Sequence, residues 1–166
     1  QPDAFRKAAG EKAVEEAREA VKEKRIVWEI WTDGSVKEKE DKTPGPGRGG
    51  GGYNITRWID GVAEEEIANQ SVATGVWATS FTSEAKAATT AAMLVMKLIE
   101  QYVAEHGNKN THAVIFVSDS LSLAQALQGD PYRLKQDTIP TWRAIQSVEK
   151  IAKVAWVWVS SHCGLK

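Results

Sequence analysis

Three acidic residues stand where a side chain could take part in chemistry. Asp33 follows the apolar run IVWEIWT, Glu84 lies in the string FTSEAKAA, and Asp119 follows the apolar run HAVIFVS. Both apolar runs have the pattern of strands, and open sheets place ligands beyond the carboxyl ends of their strands. If the two strands are neighbours and the helix that begins near Glu84 packs on them, the three carboxylates converge.

A cluster of carboxylates predicts a metal site, because like charges at close range repel each other unless a cation neutralises them. Ligand sets made only of oxygen suit Mg²⁺ or Mn²⁺. The chemistry that fits such a site is phosphodiester hydrolysis, in which two cations about 3.5 to 4 Å apart activate the attacking water and stabilise the leaving oxygen. We therefore expect Asp33, Glu84 and Asp119 to hold two Mg²⁺ or Mn²⁺ ions.

Each acid also has a plainer interpretation when it is considered alone. The D-G-S string at Asp33 favours a turn, and Glu84 would complement the dipole of a helix N-terminus by roughly 0.3 to 1 kcal/mol. Asp119 in S-D-S could cap the helix that follows it. The joint occurrence of the three acids, in this order and on these elements, favours one shared site.

The hydrophobic pattern predicts elements in the order β-β-β-α-β-α-α-β, after an N-terminal helix. Alternating apolar residues predict a first strand that ends at or near Asp33, and Asp60-Gly61 predicts a hairpin between the next two strands. A helix over residues 83–103, with Ser83 as its cap and Glu84 in its first turn, is indicated by an apolar face. The residues of that face are Ala88, Ala92, Val95, Ile99 and Tyr102.

Residues 1–25 and 26–166 differ in character and predict two units. The first is a charged helix with a narrow apolar stripe, which is typical of a solvated connector to an upstream domain. Residues 37–52 combine charges with proline and glycine, so they predict a long flexible loop. The chain begins with Gln1 and ends on Gly-Leu-Lys, and we expect both ends to be cuts in a longer polypeptide. The stripe comprises Ala9, Ala13, Ala17 and Val21.

Composition and charge narrow the classes of partner. No apolar run approaches the ~20 residues needed to cross a bilayer, so no membrane partner is expected. The formal net charge of −1 lacks the basic footprint of a strong nucleic-acid binder, so a polyanion would need a local patch or metal ions. Cys163 is the only cysteine, which favours a reducing compartment or a fold that is indifferent to redox conditions. We expect an intracellular location, in the cytoplasm, nucleus or mitochondrion. Residues that could form a phosphate-binding patch are Arg133, Lys135, Lys150 and Lys153.

Four strings of the sequence carry a family resemblance. WTDGS, FTSEAKAATTAA, VSDSLSLAQAL and WVWVSSHCG, in this order, resemble type 1 ribonuclease H. They are most similar to the ribonuclease H domain of non-LTR retrotransposon polyproteins, although the W-V-P of that family is here W-V-S. Integrases and transposases place their glutamate last, and proofreading exonucleases begin with D-x-E. In this sequence the glutamate comes second and the first motif is D-x-S, and ribonuclease H fits both features. The resemblance covers residues 26–166 and implies a ribonuclease H-like α/β fold with a mixed five-stranded sheet flanked by helices.

The resemblance also implies an activity: a metal-dependent endonuclease that hydrolyses the RNA strand of RNA–DNA hybrids. By this resemblance Asp33, Glu84 and Asp119 are the first three metal-binding carboxylates. His162 matches the mobile histidine that assists proton transfer or product release. The family's fourth carboxylate lies in a G-N-E-x-x-A-D stretch whose place would be after Lys166.

Candidate contacts to the substrate follow from the same resemblance. An enzyme that cuts RNA must recognise 2′-hydroxyl groups, which distinguish RNA from DNA. Backbone groups around Gly34, Ser35 and Ser120 are the candidates for these contacts. Flanking domains of a longer polypeptide are the expected protein partners.

A second interpretation belongs to another class of function. The chain could be a domesticated, catalytically inactive ribonuclease H module that acts as a scaffold or binding subunit in a ribonucleoprotein assembly. The near-neutral charge and the charged N-terminal helix leave this interpretation open, and the sequence beyond Lys166 would discriminate. The tryptophans of the predicted central strands are assigned to core and cover rather than to base stacking: Trp28, Trp31, Trp156 and Trp158.

Overall fold

The computed structural model describes residues 3–37, 48–75, 80–107, 111–128 and 138–159. Four residues singled out above lie outside this described part: Arg133, Lys135, His162 and Cys163. No helix within the described part is long and apolar enough to cross a membrane. The elements follow the predicted order: α1 (Asp3–Ala20), β1 (Ile26–Lys37), β2 (Arg48–Ile59), β3 (Val62–Gly75), α2 (Ser80–His106), β4 (His112–Ser118), α3 (Leu121–Gln128), α4 (Ile139–Glu149) and β5 (Lys153–Trp158).

The strands that the structure describes form one mixed sheet of five strands in the order β3-β2-β1-β4-β5. β1 pairs antiparallel with β2 and parallel with β4, and β5 lies parallel to β4. All seven residues of β4 are buried, as a continuous apolar run predicts for a strand that is covered on both faces. The predicted α/β fold, with a mixed five-stranded sheet flanked by helices, is confirmed.

A tight turn at Asp60 and Gly61 joins β2 to β3. The two residues have φ angles of 51° and 81°, and a two-residue hairpin turn of type I′ needs positive φ at both positions. The Arg25 side chain bonds the Asp60 carboxylate at 3.1 Å, and the Arg25 carbonyl accepts the Asp60 N–H at 2.9 Å. The predicted hairpin is therefore confirmed, and these bonds join it to the start of β1.

α2 covers one face of the sheet and forms the main core with it. The predicted apolar face is confirmed, since four of its residues are buried and Tyr102 is partly buried. Two of those four are alanines, whose small side chains let the helix lie close to the strands. The sheet residues of this core are Ile26, Trp28, Ile30, Tyr53, Ile55, Val114 and Phe116.

α2 begins at Ser80, three residues before the predicted cap. The prediction that Glu84 lies in the first turn is therefore wrong, and Glu84 belongs to the second turn. Ser83 lies inside the helix and is fully buried, so it does not cap the helix. Serine and threonine are tolerated in helices as well as favoured at caps, and for that reason the string SFTS does not mark the boundary.

α1 packs against the opposite face of the sheet. Val14, Ala17 and Val21 are buried there, Ala13 is partly buried, and Ala9 is exposed, so the real stripe includes Val14 and omits Ala9. The buried residues in the same cluster are Ala113, Ile115 and Val117 of β4, Val157 of β5, and Val159 just after β5. The division into a unit of residues 1–25 and a unit of residues 26–166 stays a prediction. It can be tested by removing α1, because α1 contacts the sheet.

A glycine-rich stretch of β2 replaces part of the predicted loop. Residues 48–52 pair with residues 33–37 of β1, so the expectation of a loop over residues 37–52 is wrong for Lys37 and for 48–52. Residues 38–47 lie outside the described residues. Strand pairing uses backbone groups, which glycine carries as well as any residue, so a pattern of side chains does not reveal it.

Candidate metal centre

The register of β1 and β4 brings two of the acids side by side. Thr32 and Ser118 are the last partners of this parallel ladder, and Asp33 and Asp119 are the next residues of their chains. The expectation that the first strand ends near Asp33 is wrong, because β1 continues to Lys37 paired with β2 alone. The parallel pairing of β1 with β4 is what ends just before Asp33, and the Asp33 side chain is exposed there.

Glu84 joins the two aspartates from α2. One carboxylate oxygen of each of the three residues lies within 4.8 Å of the others. Asp33 is exposed, Asp119 is partly buried, and Glu84 is buried, with only 1% of its surface exposed. Three residues separated by 51 and 35 positions in the sequence thus form one cluster that opens to solvent on the side of Asp33.

The plainer interpretation of each acid disagrees with this geometry. Asp33 lies inside β1, opposite Gly52, and not in a turn. The side chain of Ser120, rather than that of Asp119, accepts the N–H of Leu123 at 3.2 Å in the first turn of α3. Glu84 is buried in the second turn of α2, so it is not an exposed charge at the helix N-terminus.

Two hydroxyl groups hold the Glu84 carboxylate. Ser118 donates to Oε1 at 2.8 Å, and Thr32 donates to the same oxygen. Oε2 is buried and has no hydrogen-bond partner among the residues that the structure describes. A buried carboxylate oxygen without a partner is costly, so this atom is a natural position for a ligand to meet the protein.

Burial raises the pKa of Glu84 to about 7. The hydrogen bonds from Thr32 and Ser118 act in the opposite direction, because they favour the charged form. The negative charges of Asp119 and Asp33 raise the pKa further. A cation among the three carboxylates would relieve both the burial penalty and this repulsion.

The cluster fits a hard divalent cation. Its ligand atoms are all carboxylate oxygens, which Mg²⁺ and Mn²⁺ prefer to nitrogen or sulfur. The unpartnered Oε2 of Glu84 would gain a partner, and the exposed Asp33 would keep the site open to solvent and substrate. The residues present therefore suit the metal that the sequence predicts.

The remaining predicted site residues have different surroundings. Gly34 and Ser35 continue β1 past Asp33 and pair with Gly51 and Gly50 of β2. The backbone N–H of Ser120 donates to the Ser118 hydroxyl at 3.0 Å, which places Ser120 one step from the Glu84 carboxylate. His162 cannot be placed, because it lies outside the described residues.

Sequence reasoning missed three residues around the acids: Thr32, Ser118 and Trp158. The first two precede the aspartates directly, so the paired strings T-D and S-D were a signal that could have identified them. Trp158 pairs with Ser118 across the sheet, and its indole N–H donates to the Asp119 carbonyl at 3.1 Å. Trp158 is 41% exposed, in contrast to the fully buried Trp28. Trp28 is therefore a core residue, and the assignment of Trp158 to core and cover rather than to base stacking stays a prediction.

Lys153, one of the predicted phosphate-binding residues, has a structural partner. Its ammonium group bonds Glu23 at 2.7 Å and the Ala20 carbonyl at 3.2 Å, which ties β5 to the end of α1. Lys150 is exposed next to the end of α4. The predicted basic patch stays a prediction, because Arg133 and Lys135 lie outside the described residues.

Comparison with known proteins gives matches in structure and not in sequence. No protein-family model matches the chain, and no curated protein sequence matches it. Among solved structures, LC9-RNase H1, described as a type 1 RNase H with the type 2 active-site motif, superposes with a TM-score of 0.58 at 18% identity. That match covers 83% of this chain and 64% of the LC9 chain, so it spans less than two thirds of that protein.

Two further structures show the same likeness. The ribonuclease H domain of prototype foamy virus has a TM-score of 0.56 at 17% identity, with 84% of this chain and 82% of that chain covered. The N-terminal ribonuclease H domain of rv2228c from Mycobacterium tuberculosis has a TM-score of 0.54 at 17% identity, with 82% and 84% covered. Identities this low establish a common fold. The chain therefore has the fold of type 1 ribonuclease H domains, as its sequence motifs predicted.

Proposed function

We propose that this protein is a metal-dependent endonuclease that hydrolyses the RNA strand of RNA–DNA hybrids. The observation that carries the proposal is the convergence of Asp33, Glu84 and Asp119, whose oxygens lie within 4.8 Å of one another at the end of two parallel strands. The fold supports the same activity, since it is shared with domains described as ribonucleases H.

In this proposal the three carboxylates hold Mg²⁺ or Mn²⁺, with two ions expected. Such ions would lower the pKa of bound water and would place positive charge near the leaving oxygen. Glu84 acts as the fixed ligand, because its side chain is buried and held by two hydroxyl groups. Asp33 is exposed and acts as the ligand on the substrate side.

The substrate is proposed to reach the site along the end of β1. Backbone groups at Gly34 and Ser35, which follow Asp33, and at Ser120, which follows Asp119, are proposed contacts to the RNA strand and its 2′-hydroxyl groups. His162 is proposed to assist proton transfer or product release. These roles are carried over from the resemblance and are open to substitution experiments.

We also propose that the domain is part of a longer polypeptide, such as a retrotransposon polyprotein. A structure of the protease–reverse transcriptase of prototype foamy virus superposes with a TM-score of 0.54 at 16% identity, with 86% of this chain and 19% of that chain covered. A domain of this fold thus occurs within a larger viral protein. No described feature favours the alternative of an inactive subunit in a ribonucleoprotein assembly, which would not need a shared carboxylate site.

The test is cleavage of a labelled RNA–DNA hybrid by the full gene product in Mg²⁺ and in Mn²⁺. The unaltered protein is expected to cut the RNA strand, and Asp119→Asn is expected to reduce cutting to background while it keeps the fold. Asp60→Asn is the matched control, because it removes an exposed carboxylate from the hairpin turn far from the site and asparagine tolerates positive φ. An unaltered protein that cuts no hybrid with either metal would refute the proposal.

A further inference from the structure

Thr32 and Ser118 contact the proposed metal ligands but carry no charge of their own. They are partners in the β1–β4 ladder, and both side chains point to the α2 side of the sheet, where each donates a hydrogen bond to Glu84. Both are almost completely buried, with 7% and 1% of their surface exposed. Two hydroxyl groups in the apolar interior at the same place indicate a specific task.

The direction of the hydrogen bonds follows from the neighbours of Ser118. Its oxygen accepts the backbone N–H of Ser120 at 3.0 Å, so its own proton is left to be donated to Glu84 Oε1 at 2.8 Å. Thr32 donates to the same Oε1, and its distance to the Val117 carbonyl, 3.4 Å, is too long for a competing bond of equal strength.

As a result the two oxygens of Glu84 are not equivalent. Oε1 accepts two hydrogen bonds, which match the two lone pairs of a carboxylate oxygen. Oε2 has no partner among the described residues and is buried. The hydroxyl pair therefore fixes the orientation of the carboxylate and leaves one oxygen for a ligand.

We infer that Thr32 and Ser118 are positioning residues that restrict Glu84 to single-oxygen metal binding through Oε2 and so make the site select Mg²⁺ and Mn²⁺ over Ca²⁺. Mg²⁺ requires near-octahedral coordination with ligand distances of about 2.0 to 2.1 Å, a geometry that suits one oxygen from each carboxylate. Ca²⁺ takes about six to eight oxygens and often binds both oxygens of one carboxylate. This inference rests on the metal site of the proposed function and adds the cause of its selectivity.

The experiment compares metal affinities, independently of cleavage, in Thr32→Val, Ser118→Ala and the double variant. Free Mn²⁺ is counted by electron paramagnetic resonance, and Mg²⁺ and Ca²⁺ are titrated by calorimetry. The double variant is expected to bind Mg²⁺ and Mn²⁺ about 10- to 100-fold more weakly, the range for loss of groups that orient metal ligands. Its affinity for Ca²⁺ is expected to fall less, because Glu84 becomes free to offer both oxygens, so discrimination against Ca²⁺ decreases.

Two controls separate positioning from general damage. Thr90→Val with Ser147→Ala removes two hydroxyl groups that bond only within their own helices, at 2.8 and 3.0 Å, and is expected to leave all affinities unchanged. Thr32→Ser keeps the hydroxyl group and is expected to restore both the Mg²⁺ affinity and the selectivity. If the double variant does not fold, the single variants carry the test, each with a smaller change in the same direction.

The outcomes distinguish this inference from the proposed function. Equal losses for all three cations, or no loss at all, would overturn the positioning role while the carboxylate site remains. An unaltered protein that binds none of the three cations would overturn the metal site itself, and the inference with it.

Discussion

Asp33 and Asp119 occupy equivalent positions on two parallel strands, each one residue past the last partners of the β1–β4 ladder. Their carboxylates meet because of this register. A slip of one residue would turn one of the two side chains to the opposite face of the sheet and separate the pair. The carboxylate cluster is thus a consequence of strand pairing, and Glu84 completes it from α2.

The raised pKa of Glu84 predicts a pH-dependent stability for the metal-free protein. The folded state keeps a proton on Glu84 up to a pKa of about 7, whereas the unfolded chain loses it near the ordinary value of 4.5. The folded state therefore binds more protons between these values, and stability falls as the pH rises through that window. We expect a loss of roughly 3 kcal/mol between pH 4.5 and pH 8, measured by urea unfolding in the presence of a chelator.

Glu84→Gln removes this dependence. Glutamine cannot ionise, keeps an oxygen for the Thr32 and Ser118 hydroxyl groups, and presents an amide to the two aspartates. We expect the variant to be more stable than the unaltered protein at pH 8 and to gain no thermal stability from Mg²⁺. Asp60→Asn, at an exposed carboxylate, should retain the slope of the unaltered protein. If the unaltered protein had the same stability at pH 5 and pH 8, the raised pKa of the buried Glu84 carboxyl would be contradicted.

The sequence predicted those features that local patterns encode. The buried strand β4 follows from six apolar or small residues in a row, Ala113 to Ser118. The hairpin follows from Asp60-Gly61, which supplies the positive φ angles that the turn needs. The three acids were identified from their places on these elements and from their order along the chain.

Other features depend on contacts between distant segments. The pairing of residues 48–52 with β1 uses backbone groups that leave no side-chain signal. α2 begins at Ser80, in a string with several serines and threonines, and none of them singles out the first residue of the helix. The bonds from Thr32 and Ser118 to Glu84 join three elements and became visible only with the register. The docking of α1 on the sheet likewise depends on Arg18 meeting Glu29, which no periodicity of α1 reveals.

Gly51 is predicted to be required for the packing of β2 beside the proposed metal site. A Cβ at this position would lie 2.8 Å from the Ser83 carbonyl oxygen and 3.1 Å from the Asp33 carbonyl oxygen. Both are backbone atoms next to a proposed metal ligand, so they can yield only if α2 or β1 moves. We expect Gly51→Ala to lower the free energy of unfolding by about 1 to 3 kcal/mol and to weaken Mg²⁺ binding.

Gly52→Ala is the matched control for this prediction. Its Cβ would meet a single atom, the Gln70 carbonyl oxygen, at 3.3 Å, on the side of β3. We expect a smaller loss of stability in urea unfolding and an unchanged Mg²⁺ affinity in calorimetry. Equal effects of the two substitutions would show that the close approach to Ser83 and Asp33 does not matter.

Trp158 is predicted to report metal binding through its fluorescence. Its indole N–H donates to the Asp119 carbonyl and the residue is 41% exposed, so a change at Asp119 alters its environment. Mg²⁺ is expected to change the tryptophan emission of the unaltered protein, and Trp158→Phe should remove most of that change. Trp28→Phe is the control, because Trp28 is buried and far from Asp119. It lies four residues before Thr32 on β1, which is about 13 Å along the strand. An emission change that survives in Trp158→Phe would contradict the prediction.

Arg18 is predicted to be the residue that makes α1 part of the folded unit. Its guanidinium bonds both carboxylate oxygens of Glu29, at 2.8 and 2.9 Å, and lies 4.7 Å from the centre of the Trp58 ring. Glu29 is only 3% exposed, so Arg18→Met leaves a buried carboxylate without its cation. Loss of one partner of a buried pair costs roughly 3 to 5 kcal/mol, and because a third of the Arg18 side chain is exposed we expect about 2 to 3 kcal/mol.

The matched control for Arg18 is the double variant Arg18→Met with Glu29→Gln, which leaves no unpaired charge and should recover most of the lost stability in urea unfolding. A chain that begins at Arg25 tests the unit boundary directly. It would expose the apolar residues that α1 covers on β4 and β5, and we expect it to be less stable than either variant and prone to aggregate. A truncated chain as stable as the whole would show instead that α1 is a connector and that the unit begins after residue 25.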